Sequence, residues 1–400
     1  MKKDDPYTIL LLCGVLLVLA LISGIIHTLR KRSDIGIDAA ILDTFRSRIH
    51  AWWLLFGMLV GAFLFGNTMT VLLFGLISFW ALREYITLTP TRRADNNTLF
   101  WVFFLCTPFQ FLLVAFNPVW FEQVFSISPY LVFSIFIPAC AFLIIPAAIA
   151  VSGDAKHFLE RIAKIQVGLL ICVYSFSFAP ALLTMHFPTT DSSQQVSDVM
   201  PGNLVDNVLE PAIKAATDTI TGAVTAIENA ETKPNATDDS QPTKSELKNV
   251  EPSDLQTPIK HLTGRSLRLL FFFVLIVQAG DVFQYLWSHI PRRHVVAPAI
   301  NSSRTWEGVF GGAATTALFA TALWGVTPFP EWWQAAVAGA LVSLMGFAGS
   351  LTMSAIKRDR GVDDFGKLIE GHNGVLDRID SMCFAAPVFY HFVWLCVNVG

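Results

Sequence analysis

The chain has 400 residues, 53% of them hydrophobic and 15% charged, with 33 phenylalanines and a mean hydropathy of +0.53. Soluble domains carry nearer a quarter charged residues, so this composition excludes an ordinary cytosolic enzyme, a disulfide-built secreted scaffold and a disordered chain. The 28 basic and 31 acidic residues nearly cancel, to a net charge of -3, so their placement carries more than their sum.

A helix needs about 20 mostly apolar residues to cross a hydrocarbon core roughly 30 Å thick. Runs of that kind predict an all-α fold, a polytopic membrane bundle of about ten helices, with spans near 7–29, 51–66, 68–82, 98–116, 128–151, 165–187, 265–287, 308–326, 332–350 and 381–399. The first run follows Met1-Lys2-Lys3 but is too long for a signal peptide, and Arg30-Lys31-Arg32 behind it anchors rather than releases. Asn67 and the link from Thr327 to Glu331 read as tight turns between antiparallel helices. All six cysteines lie in apolar runs with no CxxC pair, which predicts small buried hydrophobes rather than zinc ligands.

With the amino terminus outside, the predicted cytoplasmic loops hold 19 of the 28 basic residues, as the positive-inside rule asks. The expected location is therefore an integral membrane one, the inner membrane if the source is bacterial, with every short polar loop facing the cytoplasm. Three regions follow: residues 1–187 with about six spans, a polar extracytoplasmic insert at 188–264, and residues 265–400 with four spans. The insert has five lysines against 12 acidic side chains. Its apolar residues from Leu204 to Ile227 recur at helical spacing and predict an amphipathic helix, while 231–258 has the Pro, Ser, Thr and acidic content of a linker.

The two polar loops nearest the C-terminus differ from the rest by mixing acids, bases, glycine and serine. Between Ser354 and Asp380 stand six carboxylates (Asp359, Asp363, Asp364, Glu370, Asp377, Asp380), five cations, His372 and four glycines. Hard cations such as Mg²⁺ take one or two carboxylates plus substrate phosphates, which makes Asp364, Asp377 and Asp380 candidate metal ligands. Asp377 and Asp380 are three apart, on one face if helical, leaving Arg378 to meet a phosphate. Lys357-Arg358, placed directly after the ninth span, bring a point charge and a guanidinium fork suited to phosphate oxygens, although by itself such a pair is by default a positive-inside anchor. Asp281 sits deep in the seventh apolar run, where an ionisable side chain costs several kcal/mol and points to function. Asn301 to Gly308 supplies hydroxyls, Arg304 and Glu307 at the mouth of the eighth span, suited either to a nucleotide or to capping a helix. Carboxylates, cations and glycine-rich backbone together suggest phosphoryl or nucleotidyl transfer to a membrane-embedded substrate.

At these residues the sequence resembles the phosphatidate cytidylyltransferase (CDP-diacylglycerol synthase) family. Ser354-x-x-Lys357-Arg358, Asp363-Asp364, Gly371-His372-Asn373-Gly374 and Asp377-Arg378-Ile379-Asp380 are similar, without a gap, to its Ser-x-x-Lys-Arg, Lys-Asp, Gly-His-Gly-Gly and Asp-Arg-x-Asp elements. Ser303-Arg304-Thr305-Trp306-Glu307-Gly308, with Asp281 and Tyr285 upstream, completes the likeness, and Glu84-Tyr85 resembles the family weakly. The chain departs from the pattern where the family has Lys at Asp363, Pro at Glu370, Gly at Asn373, Ser-Pro at Asn301-Ser302 and Lys at Arg304. The resemblance implies condensation of CTP with phosphatidic acid, using Mg²⁺, to give CDP-diacylglycerol and pyrophosphate. It implies metal on Asp364, Asp377 and Asp380; catalytic Lys357, Arg358, Asp364, His372 and Arg378; and substrate contacts from Asp281, Tyr285, Ser303, Arg304, Thr305, Glu307 and Ser354. The partners expected are CTP, phosphatidic acid or a similar lipid phosphate, membrane lipids and a second copy in a homodimer, with no nucleic acid. The competing readings are a divergent paralogue acting on another lipid phosphate or nucleotide, and a membrane transporter or lipid-binding scaffold.

Overall fold

The computed structural model describes residues 66–88, 95–116, 129–185, 257–289, 294–362 and 374–399, with a few single residues besides. Among them run eight long helices, α1 (Asn67–Leu88), α2 (Asn96–Ala115), α3 (Tyr130–Val151), α4 (Phe158–Thr184), α5 (Thr257–His289), α6 (Trp306–Ala322), α7 (Trp332–Arg360) and α8 (Leu376–Val399). Seven of these, all but α6, are long and apolar enough to cross a membrane. The protein is an all-α polytopic membrane protein, in which, among the described residues, one small hairpin, β1 (Val295–Ala297) and β2 (Asn301–Thr305), is added between α5 and α6. The spans expected at 7–29 and 51–66, and nearly all of the 188–264 insert with its amphipathic helix, lie outside the described residues. The expected span at 308–326 is α6, at 17 residues a shorter helix. The described residues up to Met185 and from Lys260 onward belong to one compact unit.

Two helix ends differ from expectation and both matter for the site. The ninth span, expected to stop near 350, continues as α7 to Arg360, so Ser354, Lys357 and Arg358 sit on a helix and not in a loop after it. Polarity does not end a helix; a terminator does. Here Gly361 adopts the left-handed conformation (φ 66°), and the Gly361 and Val362 N–H groups donate to the Arg358 and Lys357 carbonyls, a glycine-terminated end with three cations in the last turn to complement the dipole. The last span starts at Leu376, five residues earlier than expected, which places Asp377 and Asp380 in its first turns. Likewise the Asn301–Thr305 run forms strand β2, in register Val295↔Thr305 and Ala297↔Asn301 with β1. Thr305 then caps α6, its Oγ1 accepting the Gly308 N–H at 3.1 Å.

Prolines interrupt the N-terminal helices, and side chains repair the loss. Pro146 inside α3 has no N–H, so the Phe142 carbonyl one turn earlier has no helical donor. Gln166 of α4 donates its Nε2 to that carbonyl at 2.7 Å. Three short π-helical stretches, Val102–Cys106, Phe136–Ala141 and Leu169–Ser175, mark similar widenings. The hydroxyls of Thr107 and Ser78 donate to the Val102 carbonyl (3.0 Å) and the Cys172 carbonyl (2.7 Å). With no water in the hydrocarbon to substitute, Gln166→Leu is expected to lose about 1–2 kcal/mol of stability, read as a lower melting temperature in detergent than that of the unaltered protein.

Between α2 and α4 a charged knot ties the chain together. Arg161, expected as a loop cation, is buried in α4. Its Nε lies 2.9 Å and 3.0 Å from the two carboxylate oxygens of buried Asp95, and its Nη1 donates to the Asp154 carbonyl. The Lys156 backbone N–H and the Arg92 guanidinium hold the Asp154 carboxyl below the usual carboxylate range.

In the C-terminal half, α7 packs against both α6 and α8. A stripe of small residues, Gly339, Ser343, Gly346, Gly349 and Ser350, makes that close approach possible. A Cβ at Gly339 would lie 2.8 Å from the Thr316 carbonyl of α6, and one at Gly349 would lie 2.6 Å from the Asp380 carbonyl of α8.

Candidate active site

Four elements bring polar groups to one place inside the helices. α5 supplies Asp281 and Gln284, β2 supplies Arg304, α7 supplies Ser343, Ser350 and Lys357, and α8 supplies Asp377, Asp380 and Ser381. At the centre the Ser381 hydroxyl lies 2.9 Å from Asp281 Oδ1 and 3.4 Å from Asp380 Oδ1, one hydroxyl proton between two carboxylates. The Ser381 N–H also donates to Asp380 Oδ1 at 2.7 Å. Gly346 makes room for this pair: a Cβ there would meet Ser381 Cβ at 3.3 Å and Asp281 Oδ1 at 3.8 Å. Asp380 is within electrostatic reach of Asp281, Asp377 and Arg304. Two carboxylates so close, inside membrane helices, repel each other and each carries a desolvation cost, so this placement is not that of a packing device.

Arg304 is held by residues that the sequence did not single out. Its Nη2 donates to Ser350 Oγ at 2.6 Å and its Nη1 to Gln284 Oε1 at 3.3 Å. Gln284 is in turn fixed by α7, donating Nε2 to the Ser343 carbonyl (2.7 Å) and hydroxyl (2.9 Å). The signal was there: Gln284 is a polar residue three after Asp281 in an apolar run, and Ser343 and Ser350 lie seven apart, two turns along one face. Outward from Arg304, Asn301 Nδ2 donates to Ser354 Oγ at 3.2 Å, stitching the hairpin to α7. Arg358 Nε reaches the Ile300 carbonyl at 3.4 Å.

Toward the α7–α8 end, Lys357 Nζ donates to Asp377 Oδ1 at 2.8 Å while the Phe365 N–H donates to Oδ2 at 3.1 Å. Lys357 also stands 5.7 Å from the centroid of the Phe365 ring. Both carboxylate oxygens of Asp377 thus have a partner within the protein, and Arg378, half-buried beside it, is part of the interaction network too.

Other predicted residues are near but differently employed. Thr305 spends its hydroxyl on the α6 cap. Glu307 Oε1 accepts from His294 Nδ1 at 2.9 Å, leaving Oε2 buried without a hydrogen bond. Ser303 folds back on Asn301 Oδ1 through both its N–H and hydroxyl. Tyr285 lies one turn from Asp281 with its ring 4.2 Å from that of His289. Asp364 and His372 are outside the described residues.

The donor set suits a hard divalent cation. Asp281, Asp380 and Ser381 offer oxygen ligands only, next to a guanidinium and an ammonium that match phosphate. Among the described residues no three carboxylate, imidazole or thiolate groups close a metal shell by themselves. Mg²⁺ does not need one, since it completes its octahedron with water and substrate phosphates.

A search of protein families matches residues 46–396 to the cytidylyltransferase family. Over 354 residues the chain is 31% identical to the Escherichia coli protein named "Uncharacterized protein YnbB", covering 87% of each chain. It is 32% identical over 123 residues to a phosphatidate cytidylyltransferase of Brucella abortus, which is 31% of this chain and 46% of that one. A phosphatidate cytidylyltransferase of Haemophilus influenzae is 34% identical over 149 residues, 34% of this chain and 51% of the relative. The chain thus spans about half the length of these two cytidylyltransferases.

Proposed function

The chain belongs to the cytidylyltransferase family, and from that premise we propose that it transfers the cytidylyl group of CTP to a lipid phosphate, phosphatidic acid before others, releasing pyrophosphate and leaving CDP-diacylglycerol. The observation that carries the reading is the convergence of two half-buried carboxylates, Asp281 and Asp380, on adjoining membrane helices with Arg304 of the hairpin and the Lys357–Asp377 pair. Such a site handles a highly charged headgroup at the edge of the hydrocarbon, which suits a lipid whose acyl chains stay in the bilayer.

In the reaction a lipid phosphate oxygen attacks the α-phosphorus of CTP, a new P–O bond forms, and the bond to the β-phosphate breaks with its electron pair leaving on pyrophosphate. The attacking phosphate is already ionised at neutral pH, so no strong general base is needed, and orientation with charge neutralisation provides the rate. Arg304, fixed by Gln284 and Ser350, offers a preset fork to one phosphate. Lys357 is the mobile cation of the site, able to exchange Asp377 for a phosphate oxygen. Asp281 and Asp380, with Asp377 and Asp364 from the sequence pattern, would hold Mg²⁺, which supplies neutralisation of the triphosphate when bound. The cytoplasmic face of the inner membrane, where CTP is available, is the location this reading requires.

The test is direct. Purified protein in detergent with Mg²⁺, CTP and phosphatidic acid is expected to release pyrophosphate and form a CDP-lipid. A panel of other lipid phosphates and nucleotides in parallel identifies the acceptor and donor. Absence of turnover with every pair would overturn the proposal.

A further inference from the structure

Glu84 is a carboxylate buried near the end of α1 (5% exposed), nearly 300 residues in sequence from the start of α8. Its position is unfavourable for its own helix, because a negative charge in the last turns opposes the α1 dipole. Its two oxygens instead reach across to α8: Oε1 accepts the Val375 N–H at 3.0 Å and Oε2 the Leu376 N–H at 2.8 Å. These are the first donors of the helix that carries Asp377 and Asp380. Among the described residues just before that helix, Val375 and Gly374 have no side-chain acceptor with which to cap it.

We infer that Glu84 is a positioning residue of the active site, a cap supplied by the N-terminal helices that fixes the first turn of α8 and, through it, the Asp377 and Asp380 carboxylates. The inference rests on the reading of these aspartates as site residues. Two charge-assisted hydrogen bonds at a helix N-terminus hold Leu376, and Asp377 is the next residue. Its bonds to Lys357 and the Phe365 N–H therefore depend on the same turn being formed. Glutamine in place of Glu84 keeps one acceptor, but turns an N–H₂ toward the other backbone donor and removes the charge that complements the dipole.

Hydrogen exchange on the full-length protein tests this without relying on turnover. In Glu84→Gln, amides at 374–380 should exchange about tenfold faster or more than in the unaltered protein, with α5 and α7 unchanged. Turnover of CTP should fall about tenfold, with half-activation by Mg²⁺ moved to higher concentration. If Glu84→Gln fails to fold, Glu84→Asp, one methylene shorter, should lose part of the protection. Unchanged exchange at 374–380 in these variants overturns the inference. If the unaltered protein turns over no CTP, the functional reading fails by itself, whereas the exchange data still decide whether Glu84 is the cap.

Discussion

Asp377→Asn is expected to lower CTP turnover at least about a hundredfold, and toward a thousandfold, while the purified protein remains folded. Both oxygens of the native carboxylate accept: Oδ1 from Lys357 Nζ and Oδ2 from the Phe365 N–H. Asparagine has one acceptor and one donor end, so whichever way it turns, an N–H₂ meets either an ammonium or a backbone N–H. The side chain is 8% exposed, so water compensates little for that mismatch. Two effects then coincide. The site loses a negative charge where, on the proposed function, metal and triphosphate would meet, and Lys357 loses the counter-ion that orients it. If transition-state stabilisation is what disappears, kcat falls and KM for CTP changes little. Combining Lys357→Met with Asp377→Asn should cost far less than the product of the single effects, because the two side chains act as a pair. Retention of more than about a tenth of the turnover in Asp377→Asn would remove Asp377 from the chemistry.

The sequence revealed the bilayer, the family and most of the charged residues, and it did so by chemistry that does not depend on where a helix ends. Asp281 stands out because an acid in an apolar run is expensive. Asp377 and Asp380 stand out by their spacing and by the family's pattern. The helix ends were not legible, because hydropathy detects the hydrocarbon boundary, whereas α7 runs ten residues past it, to a terminator at Gly361. The polar stretch from Ser354 to Asp380 therefore read as one loop, although its two ends are the last turns of α7 and the first turns of α8. The partners of Arg304 were missed for another reason. Gln284, Ser343 and Ser350 carry no charge, and neutral polar residues in membrane helices commonly serve packing, so their spacing marks a polar face but not its use: Gln284 and Ser350 hold the guanidinium, and Ser343 fixes Gln284. Glu84 shows the deepest limit: the groups it binds are two backbone N–H groups, which no side-chain pattern announces.

Gly349→Ala should damage both the fold and the site, by adding a single methyl group. Its Cβ would lie 2.6 Å from the Asp380 carbonyl oxygen and 2.9 Å from Phe384 Cδ2. The ring can rotate away; the carbonyl, built into α8, cannot. Relief therefore requires α7 and α8 to part, at about 1–3 kcal/mol for an overpacked interface. The separation happens at the residue whose carboxylate faces Asp281 and Arg304, and a displacement approaching 1 Å there is enough to lower turnover about a hundredfold. A lower melting temperature together with a larger loss of kcat is the expected result. Gly325→Ala is the matched control: with nothing within 4 Å of its added Cβ, it should leave both quantities unchanged. Phe384→Ala in the Gly349→Ala background separates the two contacts. It removes the ring and keeps the carbonyl, so turnover should stay low. Recovery in that double variant would mean that the ring, and not the approach of the α8 backbone to α7, sets the position of Asp380.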